Sequence, residues 1–113
     1  MSCIFCEIVA HRAQADIVYQ DEVATAFTDL HPRAPTHILI IPNRHIESVD
    51  AITDDATAAE VGKCLRVAQE IAKQRGVSGG YRLVTNTGAN AGQSVFHLHF
   101  HLLAGRKMTW PPG

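Results

Sequence analysis

Three histidines, His97, His99 and His101, stand at every second position of segment 95–103, with apolar residues between them. In a β-strand, successive side chains point to opposite faces, so the three imidazole rings would share one face. In a helix, residues two positions apart point away from each other, and the rings would be scattered around the axis. The segment is therefore predicted to be a strand with a row of imidazoles about 6.5–7 Å apart. Its opposite, apolar face, which must be buried, comprises Phe96, Leu98, Phe100 and Leu102.

This row of histidines is also the feature of the sequence that carries most chemistry. Imidazole is a nucleophile, a proton carrier and a metal ligand near neutral pH. A single histidine in an amphipathic strand is usually an ordinary polar side chain. Three in strict alternation are different, because exposed β-branched or charged residues would serve the structure equally well. We therefore expect the row to carry function.

Length and composition exclude several classes of protein. A chain of 113 residues is predicted to form one domain, residues 1–113, with a core of moderate size. A net charge of −1 and a pI near 6.6 provide no basic surface, so nucleic acid is not an expected partner. No apolar run has the length of a membrane span and no secretory signal is evident, so we expect no membrane association. Three cysteines in such a chain favour a reducing compartment, and we predict a cytoplasmic location.

Hydrophobic periodicity predicts an α+β domain with antiparallel strands and one long helix packed on them. A short helical turn is expected near the amino terminus, over residues 6–10. The segment 37–41 is almost continuously apolar, which is typical of a central strand covered on both faces. The five predicted strands are residues 17–20, 23–28, 37–41, 81–86 and 95–103.

The long helix is predicted from about Thr53 to Arg75. Thr53 can cap its amino terminus, and Gly76 is expected to end it. Apolar residues recur at helical spacing, and the predicted core-facing stripe comprises Ala58, Val61, Leu65, Ala68 and Ile71. Cys64 is interpreted as a small apolar residue of this helix.

Residues 87–94, just before the histidine strand, have almost only tiny or hydrogen-bonding side chains. Without bulky side chains, successive backbone N–H groups can approach an anion closely and surround it. A flexible connection between two strands is the alternative interpretation. The position of the loop favours a phosphate beside the imidazoles, and Asn86, at the end of the preceding strand, could donate its amide to the same anion.

The pattern His97-Leu98-His99-Phe100-His101-Leu102-Leu103 resembles the signature of the histidine-triad (HIT) family of nucleotide hydrolases and transferases. Similarity extends over most of the chain and favours the Hint branch, the histidine-triad nucleotide-binding phosphoramidases. The other similar motifs are Ala34-Pro35-Thr36-His37, Ile41-Pro42, residues 80–86, Gly92-Gln93-Ser94-Val95, Gly105-Arg106 and Trp110-Pro111-Pro112-Gly113.

The resemblance implies a HIT-like fold and a hydrolase of purine nucleoside 5′-phosphoramidates. Such an enzyme cleaves the P–N bond and releases an amine and a nucleoside monophosphate through a nucleotidyl-histidine intermediate. By this resemblance His99 is the nucleophile, with its second ring nitrogen donating to a carbonyl that fixes the tautomer. His101 would contact the non-bridging oxygens, His37 would be its proton partner, and Ser94 would lie near the leaving nitrogen. This chemistry requires no metal.

The same resemblance implies a nucleotide site around the triad. Asp29 would bind the ribose hydroxyls, and an apolar slot would hold the base. The implied nucleotide-binding residues are Phe5, Ile8, Phe27, Asp29, Leu30, Asn86, Gly92, Gln93, Ser94, His99 and His101.

Cys3 and Cys6 have the C-x-x-C spacing of a zinc knuckle, which alone is weak evidence. Two free thiols and a redox dithiol are the alternatives, although a redox motif would need a preceding strand. A closed site needs two more ligands, and His45 and His97 are the candidates. Bacterial members of the resembled family pair such cysteines with those two histidines around structural zinc, so the resemblance implies a zinc cofactor.

Members of the Hint branch form homodimers whose sheets join across the interface, and a homodimer is expected here. The helix residues expected to face the partner are small or apolar, namely Ala56, Ala59, Gly62 and Val67. Glycine inside a helix costs roughly 1 kcal/mol relative to alanine, and close packing of a second helix against Gly62 would offset that cost. The tail through Gly113 would approach the partner's active site. Two other functions stay open, namely cleavage of dinucleoside polyphosphates and a nucleotide-binding regulatory role with incidental hydrolysis.

Overall fold

The computed structural model describes residues 3–113, and the predicted α+β architecture is confirmed. One five-stranded antiparallel sheet has the strand order β1-β2-β3-β5-β4. The strands are β1 (Ile17–Gln20), β2 (Ala24–Thr28), β3 (Thr36–Pro42), β4 (Tyr81–Val84) and β5 (Phe100–Ala104). The helices are α1 (Ile4–Val9) and α2 (Asp55–Gln74), with 3₁₀ turns at Val49–Ala51 and Ala89–Ala91. None of the helices in the described residues is long and apolar enough to cross a membrane.

Strand β3 is the centre of the sheet, as its apolar composition predicts. All seven of its residues are buried, and it pairs with β2 on one side and β5 on the other. Its alternating side chains divide the core in two. Ile38 and Ile40 pack on the side covered by α2, whereas Leu39 and Ile41 pack on the side covered by α1.

The helix α2 begins one residue later than the sequence suggests. Asp54, rather than Thr53, is the N-cap, and its carboxylate accepts the N–H of Thr57 at 2.8 Å. The hydroxyl of Thr57 in turn lies 3.3 Å from the N–H of Asp54, which completes a capping box. At the other end Gly76 has φ +70°, a left-handed conformation that favours glycine, and it follows the C-cap Arg75 as predicted.

The core-facing stripe of α2 is rotated from the predicted one. Val61, Ala68 and Ile71 are buried as expected, but Ala58 and Leu65 are exposed. Cys64 and Val67 occupy the core in their place, so the assignment of Val67 to a partner-facing surface is wrong. The predicted stripe followed a spacing of three and four residues that two neighbouring rows of the helix satisfy equally well.

The histidine segment forms a shorter strand than predicted. Its regular pairing begins at Phe100, opposite Ile40 of β3, and its pairing with β4 begins at His101, opposite Val84. The alternation nevertheless continues back to residue 97, since Leu98 is fully buried with Phe100 and Leu102 beneath α2. Phe96 lies beyond the sheet and is 48% exposed, so its placement on the apolar face is wrong.

Candidate functional site

The ring of His99 is buried and held by its own backbone neighbourhood. Its Nδ1 lies 2.7 Å from the carbonyl oxygen of His97. A carbonyl can only accept, so Nδ1 carries the proton and Nε2 keeps a free lone pair. The ring of Phe5 stands edge-on to the imidazole at 5.1 Å and limits its rotation. His99 therefore presents an unprotonated Nε2 in a fixed orientation.

A pair of hydrogen-bonded imidazoles connects β3 with β5. His37 and His101 lie on adjacent strands, and His37 Nε2 is 2.9 Å from His101 Nδ1. The backbone N–H of Arg33 donates to His37 Nδ1 at 3.0 Å, so the proton of neutral His37 is on Nε2 and is donated to His101. His101 consequently carries its own proton on Nε2. The ring of His101 lies 5.1 Å from that of His99, closer than the predicted spacing along the strand.

Burial keeps the paired imidazoles neutral. Desolvation lowers the pKa of His37, while the carboxylate of Asp29, 3.5 Å from its Nε2, acts in the opposite direction. Desolvation, together with the charges of His99 and His37, lowers the pKa of His101 to about 4. Both rings are thus uncharged at pH 7. The N–H of Arg33 then sets the direction of donation, from Arg33 to His37 and from His37 to His101.

An apolar cavity of about 390 Å³ opens beside these rings. Its floor is formed by the core residues of the α1 side, including Phe5 and Phe27. The cavity brings together eight of the predicted nucleotide-binding residues, namely Phe5, Ile8, Phe27, Asp29, Leu30, Ser94, His99 and His101. Leu30 is 86% exposed and forms the rim.

A polar cavity of about 410 Å³ lies next to the apolar one and shares His101, His31 and Asp29 with it. Asn86 lines this polar cavity and not the apolar one. Pro112 also lines it, so the tail of this chain reaches its own polar cavity, and the approach of the tail to a partner's active site stays a prediction. Neither His99 nor Ser94 lines the polar cavity.

Part of the glycine-rich loop uses its N–H groups within the loop, and the anion site predicted there stays a prediction. The N–H groups of Ala91, Gly92 and Gln93 donate to carbonyls of the loop itself at 3.0–3.1 Å. The side chain of Gln93 is buried and bonded to the backbone of Gly88, Glu47 and Val95. Gly92 and Gln93 thus lie outside both cavities, and Gln93 holds the loop together.

The fold also brings together the four predicted metal ligands. Cys3, the N-cap of α1, and Cys6 in its first turn approach His45 and His97. The Nδ1 of His97 is 3.4 Å from the sulfur of Cys3 and 3.6 Å from that of Cys6, and the Nδ1 of His45 is 3.5 Å from Cys6. We call these four residues the Cys–His cluster, and its ligand atoms all lie within 4.8 Å of one another.

The donor set and spacing fit a tetrahedral metal ion. With Zn–S near 2.3 Å and Zn–N near 2.1 Å, a tetrahedral site separates sulfur from nitrogen by about 3.6 Å. The Nε2 of His97 lies 2.8 Å from the carbonyl oxygen of Pro42, so Nε2 carries the proton and Nδ1 is free for a ligand. Burial, followed by the Cys3 thiol, raises the pKa of Cys6, which a bound cation would offset.

Sequence reasoning missed several residues of the site. His31 was not among the predicted site residues; it is exposed at the surface and lines both cavities. Arg33 lines the polar cavity and was not considered, because it stands between prolines in a loop without periodicity. Proximity to Asp29 in the chain was the only available signal for either residue. The remaining unpredicted residues of the apolar cavity are Ile4, Gln14, Ala15, Thr28, Leu39 and Val95.

Comparisons with known proteins agree with this geometry. A model of the HIT domain family matches residues 10–108. A purine nucleoside phosphoramidase of Escherichia coli is 47% identical over 106 residues, which span 93% of this chain and 88% of that protein. A 14 kDa zinc-binding protein of Zea mays is 47% identical over 115 residues, covering 97% and 87%. The crystal structure of a HIT family hydrolase from Legionella pneumophila matches with a TM-score of 0.94 at 42% identity, covering 99% of this chain and 100% of that one.

Proposed function

The chain belongs to the HIT family, and on that basis we propose that it hydrolyses purine nucleoside 5′-phosphoramidates to a nucleoside monophosphate and an amine. One observation carries the proposal above all others. The Nδ1 of His99 donates to a carbonyl at 2.7 Å, so in the neutral ring Nε2 has the free lone pair, and His99 lines the apolar cavity. A protein that only bound nucleotides would have no use for a nucleophile oriented in this way.

The cavities supply the parts of the proposed reaction. The nucleoside lies in the apolar cavity, with the base between Phe5, Ile8, Phe27 and Leu30 and the ribose near Asp29. The α-phosphate lies between His99 and His101, and the Nε2–H of His101 donates to a non-bridging oxygen. His37 supports that donor through the bond at 2.9 Å. These groups stabilise the charge that develops on the oxygens.

Displacement then proceeds in two steps. The lone pair of His99 Nε2 attacks phosphorus, and the P–N bond breaks with its electron pair going to nitrogen. That nitrogen takes a proton from the hydroxyl of Ser94, which lines the same cavity as His99. In the second step water attacks the nucleotidyl-His99 and returns a proton to the oxygen of Ser94, and the nucleoside monophosphate leaves with His99 restored.

Turnover of two substrates side by side tests this proposal. Adenosine 5′-phosphoramidate should be hydrolysed with a much larger kcat/KM than diadenosine tetraphosphate. The reverse order would favour the dinucleoside polyphosphate hydrolase. Tight binding of adenosine monophosphate with no turnover of either substrate would favour a regulatory protein. Each result thus selects one of the three functions.

We propose zinc as the metal of the Cys–His cluster. Two thiolates and two imidazoles are a donor set that closed, structural zinc sites use, and the spacing of the ligand atoms fits a tetrahedron. The name of the Zea mays relative points to the same metal. Bound there, zinc would tie α1 to the segments carrying His45 and His97. The hydrolytic steps above do not use it.

We also propose that two copies associate through α2. Ala58, Gly62 and Leu65 form an exposed stripe of small and apolar residues, and a groove of about 470 Å³ runs beside Gly62 and Tyr19. Among residues 3–113, no atom outside the neighbouring helix backbone lies within 4 Å of a Cβ added at Gly62, so the packing of these residues does not require glycine there. A second helix approaching closely would. Light scattering at micromolar concentration should give twice the chain mass, and Gly62→Glu should give the monomer.

A further inference from the structure

The polar cavity adjoins the proposed nucleoside site, and the two cavities share His101, His31 and Asp29. His101 lines both cavities, whereas His99 and Ser94 line only the apolar one. In-line displacement requires the leaving atom to depart on the side of phosphorus opposite the attacking nitrogen. A phosphate seated at His101 and attacked from His99 therefore directs its leaving group toward the polar cavity.

We infer that the polar cavity binds the leaving amine and that Arg33 selects amines that carry a carboxylate. This inference rests on the proposed phosphoramidase function and names its substrate class more closely. Besides Arg33, the cavity offers the amide of Asn86 as a neutral donor. Its only carboxylate is Asp29, which already accepts the N–H of His31 at 2.7 Å and lies 3.5 Å from His37.

The backbone of Arg33 is anchored on both sides, so the side chain projects from a fixed point. Its N–H donates to His37 Nδ1 at 3.0 Å, and its carbonyl accepts from Arg106 Nε at 2.9 Å. Two residues on, Pro35 packs so closely on Gly105 that a Cβ there would lie 2.9 Å from the proline ring. The loop that carries Arg33 is thereby fixed against the end of β5.

The charge of Arg33 is close enough to be felt at the reacting groups. Burial is the main cause of the lowered pKa of His37, which Asp29 counteracts, and Arg33 adds to the lowering. A positive charge in the cavity attracts a leaving group with a carboxylate and offers nothing comparable to its amide analogue. Because the guanidinium is exposed, the attraction is of the size measured for exposed ion pairs, about three- to fivefold in affinity.

A matched pair of substrates tests the inference. In the adenosine 5′-phosphoramidates of β-alanine and of β-alaninamide, the leaving amines have the same length and differ only in charge. The wild type should prefer the carboxylate in kcat/KM by about three- to fivefold, and added salt should shrink the preference. Arg33→Gln should bring the ratio close to one, and Arg33→Lys should retain part of it. Arg75→Gln removes the same charge at the end of α2 and should leave the wild-type ratio.

Binding measurements separate this inference from the proposed function. Dissociation constants of the two compounds, measured calorimetrically with His99→Ala and with His99→Ala/Arg33→Gln, need no turnover. If the wild type hydrolyses neither compound, the phosphoramidase proposal fails while the ratio of dissociation constants still decides the role of Arg33. Equal ratios with and without the arginine, in variants whose melting temperatures match, overturn the inference.

Discussion

Two groups of side chains share the segment 97–101, and they differ in which ring nitrogen the backbone holds. In the Cys–His cluster, His97 is tied through Nε2 to the carbonyl of Pro42, which leaves Nδ1 directed at two sulfurs. Two residues later, His99 is tied through Nδ1 to the carbonyl of His97, which leaves Nε2 directed at a cavity. The same side chain thus becomes a candidate ligand in one place and a candidate nucleophile in the other. A carbonyl oxygen, not the residue type, makes the difference.

The largest expected effect is the loss of activity on removing the proposed nucleophile. His99→Ala should lower kcat on adenosine 5′-phosphoramidate by about three orders of magnitude or more, because the lost interaction exists mainly in the transition state. Binding of adenosine monophosphate should change little. Metal content should also be unaffected, since His99 is not in the Cys–His cluster. A variant that keeps a tenth of the wild-type kcat would show that His99 is not the nucleophile.

Removing the metal tests the proposed role of the Cys–His cluster. Protein purified without chelators should contain about one zinc per chain. Stripping it should lower the melting temperature by more than about 10 °C, since a ligand bound only to the native state stabilises by several kcal/mol. Cys6→Ser should have the same effect, whereas Cys64→Ala should keep the metal, because Cys64 lies in the core. Absence of metal from fully reduced protein would instead support two free thiols.

Shortening the tail should affect one group of residues and not the other. Pro112 lines the polar cavity beside His37 and His101, and the carbonyl of Thr109 accepts from Arg82 at 2.8 Å. Deleting residues 108–113 should therefore change kcat/KM by about two- to tenfold through lost contacts with the leaving group. Zinc content and melting temperature should stay near those of the full chain. Unchanged kinetics in the deletion would exclude the tail from substrate recognition.

The smallest expected effect is a loss of folding stability at acidic pH. His101, with a pKa of about 4, and His37, with a lowered pKa, stay neutral when folded, whereas both titrate near 6.5 when unfolded. Between those values the unfolded chain binds more protons, so stability rises with pH and falls on acidification from about 6.5 to 4. Melting temperatures measured across that range should show the slope, and His101→Asn should flatten it. An equal slope in both proteins would show that His101 does not contribute.

The sequence predicted the parts of the fold that depend on alternation. The burial of Leu98, Phe100 and Leu102 opposite the histidines follows from the side-chain period of a strand. The fully buried β3 follows instead from its nearly continuous apolar run. The start of β5 could not be predicted in this way. It depends on contacts with other segments: Phe100 pairs with Ile40 of β3, whereas the carbonyl of His99 accepts from the hydroxyl of Thr85.

Polar residues of the site were harder to interpret than apolar ones. From the sequence, the side-chain amide of Gln93 could hydrogen-bond either a phosphate or the backbone of its own loop. The fold shows it bonded to the backbone of Glu47 and Gly88. The same holds for Thr53 and Asp54, either of which can cap a helix. Arg33 carries no periodic signal at all, and its importance arises from contacts with residues far along the chain, such as Arg106.

The strand order has a consequence for how the protein is made. β5 is synthesised after the other four strands of the sheet, yet it occupies an interior position, between β3 and β4. Until it emerges from the ribosome, β4 has no neighbour in this sheet to pair with, and one edge of β3 is open. The apolar strands of the nascent chain therefore stay unpaired until β5 arrives. Enzyme chemistry that depends on His99 and His101 would begin only with that last insertion, so prematurely ended chains would be inactive and prone to aggregate.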